Sequence, residues 1–260
     1  AEQLPSIEAV ATSIPETDSS ASTTQYITPT HIETTEAIGV AEESSASAPP
    51  QPATLSSNAA GNASQLIEQA KNYKKQKRYD LAIPLLQQAA TLGNAGAQLE
   101  LGFLYNMGEG VDRDPNKTLH WYAKAAAQGN VDAQFNLGIL YEKGDGVSQD
   151  YSKARQWYEK AAAQGDVQAQ FNLGALYQNG RGVDQDYSKA RQWYEKAAAQ
   201  NDSKAQANLG LLYKNGWGVK QNYTEARQWY EKAAAQGDAR AQLGLGVLYA
   251  KGQGVSQNFD

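Results

Sequence analysis

The chain has 260 residues with 28 acids, 23 bases, two histidines and no cysteine, giving a formal net charge of −5. The absence of cysteine excludes disulfide staples, Cys-ligated zinc and thiol nucleophiles, and no apolar run approaches the ~20 residues needed to span a bilayer. Eight acids and no Lys or Arg fall in residues 1–62, which leaves 20 acids against 23 bases beyond, too small a basic excess for a nucleic-acid footprint.

Residues 1–62 are rich in Ser, Thr, Ala, Pro and Glu and show no helical period; 44–52 reads S-S-A-S-A-P-P-Q-P, an extended linker. Such a segment cannot bury enough apolar surface to offset its ordering entropy. It is predicted to be disordered, or to become ordered only on a partner. The chain opens Ala1-Glu2-Gln3, as an exported protein does after signal removal and as a fragment would too. Residues 63–93 form a divergent unit. Tyr79, Ala82, Leu86 and Ala89 fall one period before Pro115, Thr118, Tyr122 and Ala125, but no G-x-G-V loop separates its helices.

From residue 94 onward a 36-residue period governs the chain, marked by Trp121, Trp157, Trp193 and Trp229, each inside W-Y-x-K-A-A-A-Q. A period of that length signals stacked helical units. Within one unit, Ala133, Leu137, Gly138, Leu140 and Tyr141 place a helix over 132–143. Gly144-Asp145-Gly146-Val147 breaks it. Asp150 caps a second helix over 151–164, where Ala154, Trp157, Tyr158, Ala161 and Ala162 follow the spacing of a buried face. Gly165 is a left-handed stop and Asp166 caps the next helix; Asn201 takes the stop position once, and Asn tolerates that conformation. Helices this short are marginal alone in water, so neighbouring units must hold them.

The recurring pattern A-Q-F-N-L-G-x-L-Y-x-x-G-x-G-V-x-Q-D-Y-x-K-A-x-x-W-Y-x-K-A-A-x-Q-G resembles the Sel-one-like repeat, a relative of the tetratricopeptide repeat, over about 93–260. The resemblance implies an all-α, right-handed superhelical solenoid of antiparallel helix pairs, with first helices on the concave face. It also implies adaptor work on proteins or peptides in a bacterial envelope or secreted setting, a cytoplasmic setting being the alternative. Four full units and a truncated fifth fill 94–260. Since 241–249 repeats a first helix and Leu245, Val247 and Leu248 then lack an outer helix, the native protein is expected to continue.

Catalytic chemistry finds no foothold in these residues. The paired loop glycines lack the strand and continuation that a phosphate loop needs. His31 and His120 are isolated, so neither a triad nor a metal site forms and no cofactor is expected. The Trp in every unit is read as packing, with truncation costing ~3–5 kcal/mol. Gly102, Gly138, Gly174 and Gly210 are read as points of close approach between paired helices.

Function is sought where units differ. One first-helix column reads Asp132, Gln168, Lys204, Arg240 and a second reads Glu142, Gln178, Lys214, Ala250, both running from acidic to basic. A third, Leu99, Phe135, Phe171, Ala207, Leu243, is assigned apolar contact between them, and Phe103 joins the candidate surface. Together they suggest a groove for a segment basic at one end and acidic at the other. In the loop column Glu109, Asp145, Arg181, Trp217, Gln253, the indole of Trp217 is either an interaction hot spot beside Arg181 or folded over its own loop. Two rivals to a peptide scaffold are a peptidoglycan or polysaccharide binder and an immunity protein blocking a toxin.

Overall fold

The computed structural model describes residues 57–254; the expected disorder of 1–56 and the end of the chain at 255–260 lie outside them. Among the described residues there are eleven α-helices and no strand. They are α1 (Ser57–Lys75), α2 (Tyr79–Thr91), α3 (Ala95–Met107), α4 (Pro115–Ala127), α5 (Val131–Lys143), α6 (Tyr151–Ala163), α7 (Val167–Asn179), α8 (Tyr187–Ala199), α9 (Ser203–Asn215), α10 (Tyr223–Ala235) and α11 (Ala239–Ala250). Residues 57–62, expected to be coil, are the first turns of α1. Ala59 and Ala60 favour helix there, and the helix is held by Ala63, Ile67 and Ala70 packing into the first core cluster.

The helices form antiparallel pairs, the α-solenoid architecture. They fall into two compact units, one ending at Ala161 and the other running from Ala162. In the unit 57–161, α1 pairs with α2, α3 with α4, and α5 with α6; the first of these pairs is joined by only Gln76, Lys77 and Arg78. In the unit 162–254, α7 pairs with α8, α9 with α10, and α11 follows.

Local rules set the boundaries. Asn94, Asn130, Asp166, Asp202 and Asp238 each accept a bond from a backbone N–H three residues on, capping the first helices. Asp114, Asp150, Asp186 and Asn222 do the same for second helices. Asn201 has φ 67°, as its stop role requires.

A glutamine ladder ties successive pairs together. Gln98, Gln134 and Gln170 are buried and donate to the carbonyls of Ala90, Ala126 and Ala162 at 3.1, 3.2 and 3.4 Å. Those carbonyls lie in the last turns of second helices, where each also accepts the backbone N–H of the glycine three residues on, Gly93, Gly129 or Gly165, at 3.0 Å. Gln128, Gln200 and Gln236 then donate to the Oε1 atoms of Gln98, Gln170 and Gln206 at 2.7, 3.0 and 2.8 Å.

Candidate binding surface

Each first helix spends one stripe on its own partner. Gly102, Gly138, Gly174 and Gly210 face the rings of Tyr122, Tyr158, Tyr194 and Tyr230, and a Cβ at any of them would lie inside the ring's van der Waals radius. Three residues before the glycine stands an apolar wall: Phe135 and Phe171 sit 5.6 and 5.7 Å from the rings of Tyr158 and Tyr194. Four residues after it stands an acceptor, with Glu142 taking the Tyr158 hydroxyl at 2.5 Å and Gln178 that of Tyr194 at 3.0 Å. Burial pushes the hydroxyl of Tyr194 up from its ordinary value, so it stays a donor.

This socket corrects two of the expected groove columns. Leu99, Phe135, Phe171 and Ala207 are 8 % exposed or less and belong to the core; Leu243 alone of that column is exposed, at 50 %. Glu142 and Gln178 are committed to tyrosine hydroxyls, and Lys214 occupies the same socket position, half-buried. Phe103 is also buried. For the two columns the reason is geometric: positions i, i+3 and i+7 share one face of a helix, and here that face is turned to the paired helix. Phe103 lies off that face, in the column of the buried Ile139.

The tryptophans are half-buried while the tyrosines that follow them are fully buried. One residue of helix turns the side chain by about 100°, away from the socket and onto neighbouring core clusters. Lysines three residues on lie over the rings of Trp157, Trp193 and Trp229 at 4.0, 3.9 and 4.2 Å and cover the face on which a sugar would stack.

The loop column also faces inward along the stack. Glu109 accepts from the Tyr79 hydroxyl at 3.0 Å, Asp145 pairs with Arg113, and Trp217 stacks on Tyr187 with centroids 5.2 Å apart. Trp217 is thus neither an exposed hot spot nor folded over its own loop; it seals a junction with the preceding pair. Arg181 is half-buried at the matching position.

What remains is a stripe at spacing i, i+4, i+7, i+11 that is open only in part. Its i+4 residues Asn136, Asn172 and Asn208 are buried, as is Ile139 at i+7, whereas Leu211 and Val247 at i+7 are half-buried. In 162–254 the Asp132-type column continues as Gln168, Lys204 and Arg240, all exposed. Beyond Lys204 it runs through the buried Asn208 and the half-buried Leu211 and Asn215, while Ala205, Leu209 and Leu212 on the adjacent stripe are fully buried. Arg240 reaches Asn208 Oδ1 at 3.5 Å and Asp238 at 3.5 Å. Asn208 also meets the Tyr194 hydroxyl, which connects the stripe to the socket. In 57–161 the stripe holds Asp132, whose carboxyl is raised by burial, and the buried Glu100, paired with Lys74. Sequence reasoning placed Asp132, Gln168, Lys204 and Arg240 outward but overlooked the half-buried Leu211 and Val247. The seven-residue step from Lys204 and Arg240 was the available signal.

A Sel1 repeat model matches six consecutive segments, 74–94, 95–130, 131–166, 167–202, 203–238 and 239–260. The chain therefore belongs to the Sel1 repeat family, α-solenoid scaffolds for protein–protein interaction. It is similar to the Sel1 repeat protein of Oxalobacter formigenes, 40 % identical over 73 % of this chain and 78 % of that one, with a TM-score of 0.70. It is also similar to a protective antigen of uropathogenic Escherichia coli with an SLR fold, 42 % identical over 68 % of this chain, TM-score 0.66. The chain spans only 38 % of that antigen's length. No curated protein matches it.

Proposed function

We propose that this chain is a non-enzymatic scaffold that holds an extended protein segment against its outward first-helix stripes. The observation behind this is a division of labour. Residues shared by all units are consumed by sockets, caps and the glutamine ladder, whereas the outward column changes from unit to unit. In 57–161 the half-buried carboxylate of Asp132 has no ion pair among the described residues, so a partner's cation there would relieve its desolvation. In 162–254 the stripe offers Lys204 and Arg240 and suits acidic groups. The covered tryptophan faces weigh against the polysaccharide reading. The likeness to a protective antigen supports work in the bacterial envelope or outside the cell.

The test is capture of partners by the full chain, followed by titration of a captured protein against K204E/R240E and D132K variants. Each variant is expected to weaken binding at least tenfold, with a strong salt dependence in the parent. Unchanged affinity in both variants sinks the stripe reading. Retention on purified peptidoglycan at the level of the protein partner would favour the rival.

A further inference from the structure

We infer that the basic stripe of 162–254 is the docking site of the chain's own acidic N-terminal extension, which holds the groove until a partner displaces it. This rests on the reading of that stripe as a binding face and adds its first occupant. The stripe side is built from described residues. Lys204, Arg240 and Lys251 are exposed at matching stripe positions, and Leu211 and Val247 are half-buried between them. Apart from the caps, the first helices α7, α9 and α11 carry no acidic residue. The capping carboxylates Asp202 and Asp238 each spend an oxygen on a backbone N–H, of Ala205 at 2.7 Å and Ala241 at 2.9 Å. Asp238 also lies 3.5 Å from Arg240, whose side chain still keeps 53 % of its surface in solvent.

The occupant side is read from sequence. Residues 2–18 carry Glu2, Glu8, Glu16 and Asp18 with no Lys or Arg, interleaved with Ile7, Val10 and Ile14. Pro5 and Pro15 disfavour helix at and before their positions. A segment whose acids are interleaved with β-branched residues complements a stripe that alternates cations with Leu211 and Val247. Individual exposed ion pairs are weak. Covalent attachment offsets that weakness, because a tethered segment meets its site at an effective concentration set by its linker and not by the bulk protein concentration.

Zero-length carbodiimide cross-linking of the full chain, at a dilution that keeps it monomeric, tests this by mass spectrometry of the linked peptides. Glu8, Glu16 or Asp18 is expected to join Lys204 or Lys251 at several times the yield seen with Lys220 and Lys232, exposed lysines off the stripe. Arg240→Glu leaves both reporter lysines in place and should reduce that yield at least threefold. Raising the salt to about 0.5 M should do the same without any mutation. Links spread evenly over exposed lysines, or a yield indifferent to both changes, overturn the docking. In that case partner titration with K204E/R240E still decides separately whether the stripe binds anything.

Discussion

Residues 57–161 and 162–254 are assembled by the same contacts yet turn different chemistry outward. Phe135, Gly138 and Glu142 seat Tyr158 in one, and Phe171, Gly174 and Gln178 seat Tyr194 in the other, with ring distances within 0.1 Å of each other. Outward, the first carries Asp132 and the second Lys204 and Arg240. Folding therefore constrains the inward stripes of every unit and leaves the outward column free to vary. A repeat protein can change its ligand without changing its scaffold.

The largest expected effect strikes the shared part. Tyr194→Ala removes a fully buried ring and should cost about 3–5 kcal/mol by urea denaturation. Trp193→Ala should cost less, on the order of 1–2 kcal/mol, because part of the indole never left water. If the tryptophan proves the more costly of the two, the socket is not the core of the repeat. Next comes Gly174→Ala, which drives a methyl into the Tyr194 ring and should cost roughly 1–3 kcal/mol. Gly138→Ala should match it within experimental error, since the two units share the socket; a large difference would break the equivalence.

These magnitudes bear on what was legible beforehand. Helix positions, the Asp150 and Asp166 caps, the Gly165 stop and the close-approach glycines follow from short-range chemistry, and the structure has all of them. The assignment of faces did not follow. A solenoid helix is pressed by its own partner and by the preceding pair and is open on what remains, so apolar and polar residues stand on more than one stripe. Phe135 and Glu142 look like groove residues until Tyr158 is placed between them. The glutamine ladder was visible as Gln98, Gln134, Gln170 and Gln206 at one fixed position, yet glutamine reads as surface until its carbonyl partners are known.

The junctions sharpen the comparison at smaller energies. Arg113 with Asp145 joins successive pairs in 57–161, and Tyr187 with Trp217 does so in 162–254. Trp217→Ala should lose about 0.5–1.5 kcal/mol beyond its buried area, and the loss should not depend on salt. Asp145→Ala removes a partly exposed ion pair and should lose under about 1 kcal/mol, shrinking further in about 0.5 M salt. Equal salt sensitivity of the two variants would mean that the junctions are not chemically distinct.

The smallest effect is a matter of sign and lies within one unit. Burial raises the Asp132 carboxyl above its ordinary range, whereas the backbone N–H of Lys153, assisted by the Lys153 charge, holds Asp150 below it. A raised carboxyl binds its proton more tightly folded than unfolded, so Asp132 costs stability as pH rises from the ordinary carboxylate value to the raised one. Asp132→Asn should therefore stabilise the chain at neutral pH, and the gain should vanish below the ordinary range. Asp150 contributes stability above that range and loses it as pH falls toward its depressed value, so Asp150→Asn should be destabilising at neutral pH and silent in acid. Urea midpoints across pH 2–8 would separate the two profiles. A carboxylate that destabilises its own fold at neutral pH is costly to retain for architecture alone, and so the Asp132→Asn result bears directly on whether that position is kept for a partner's cation.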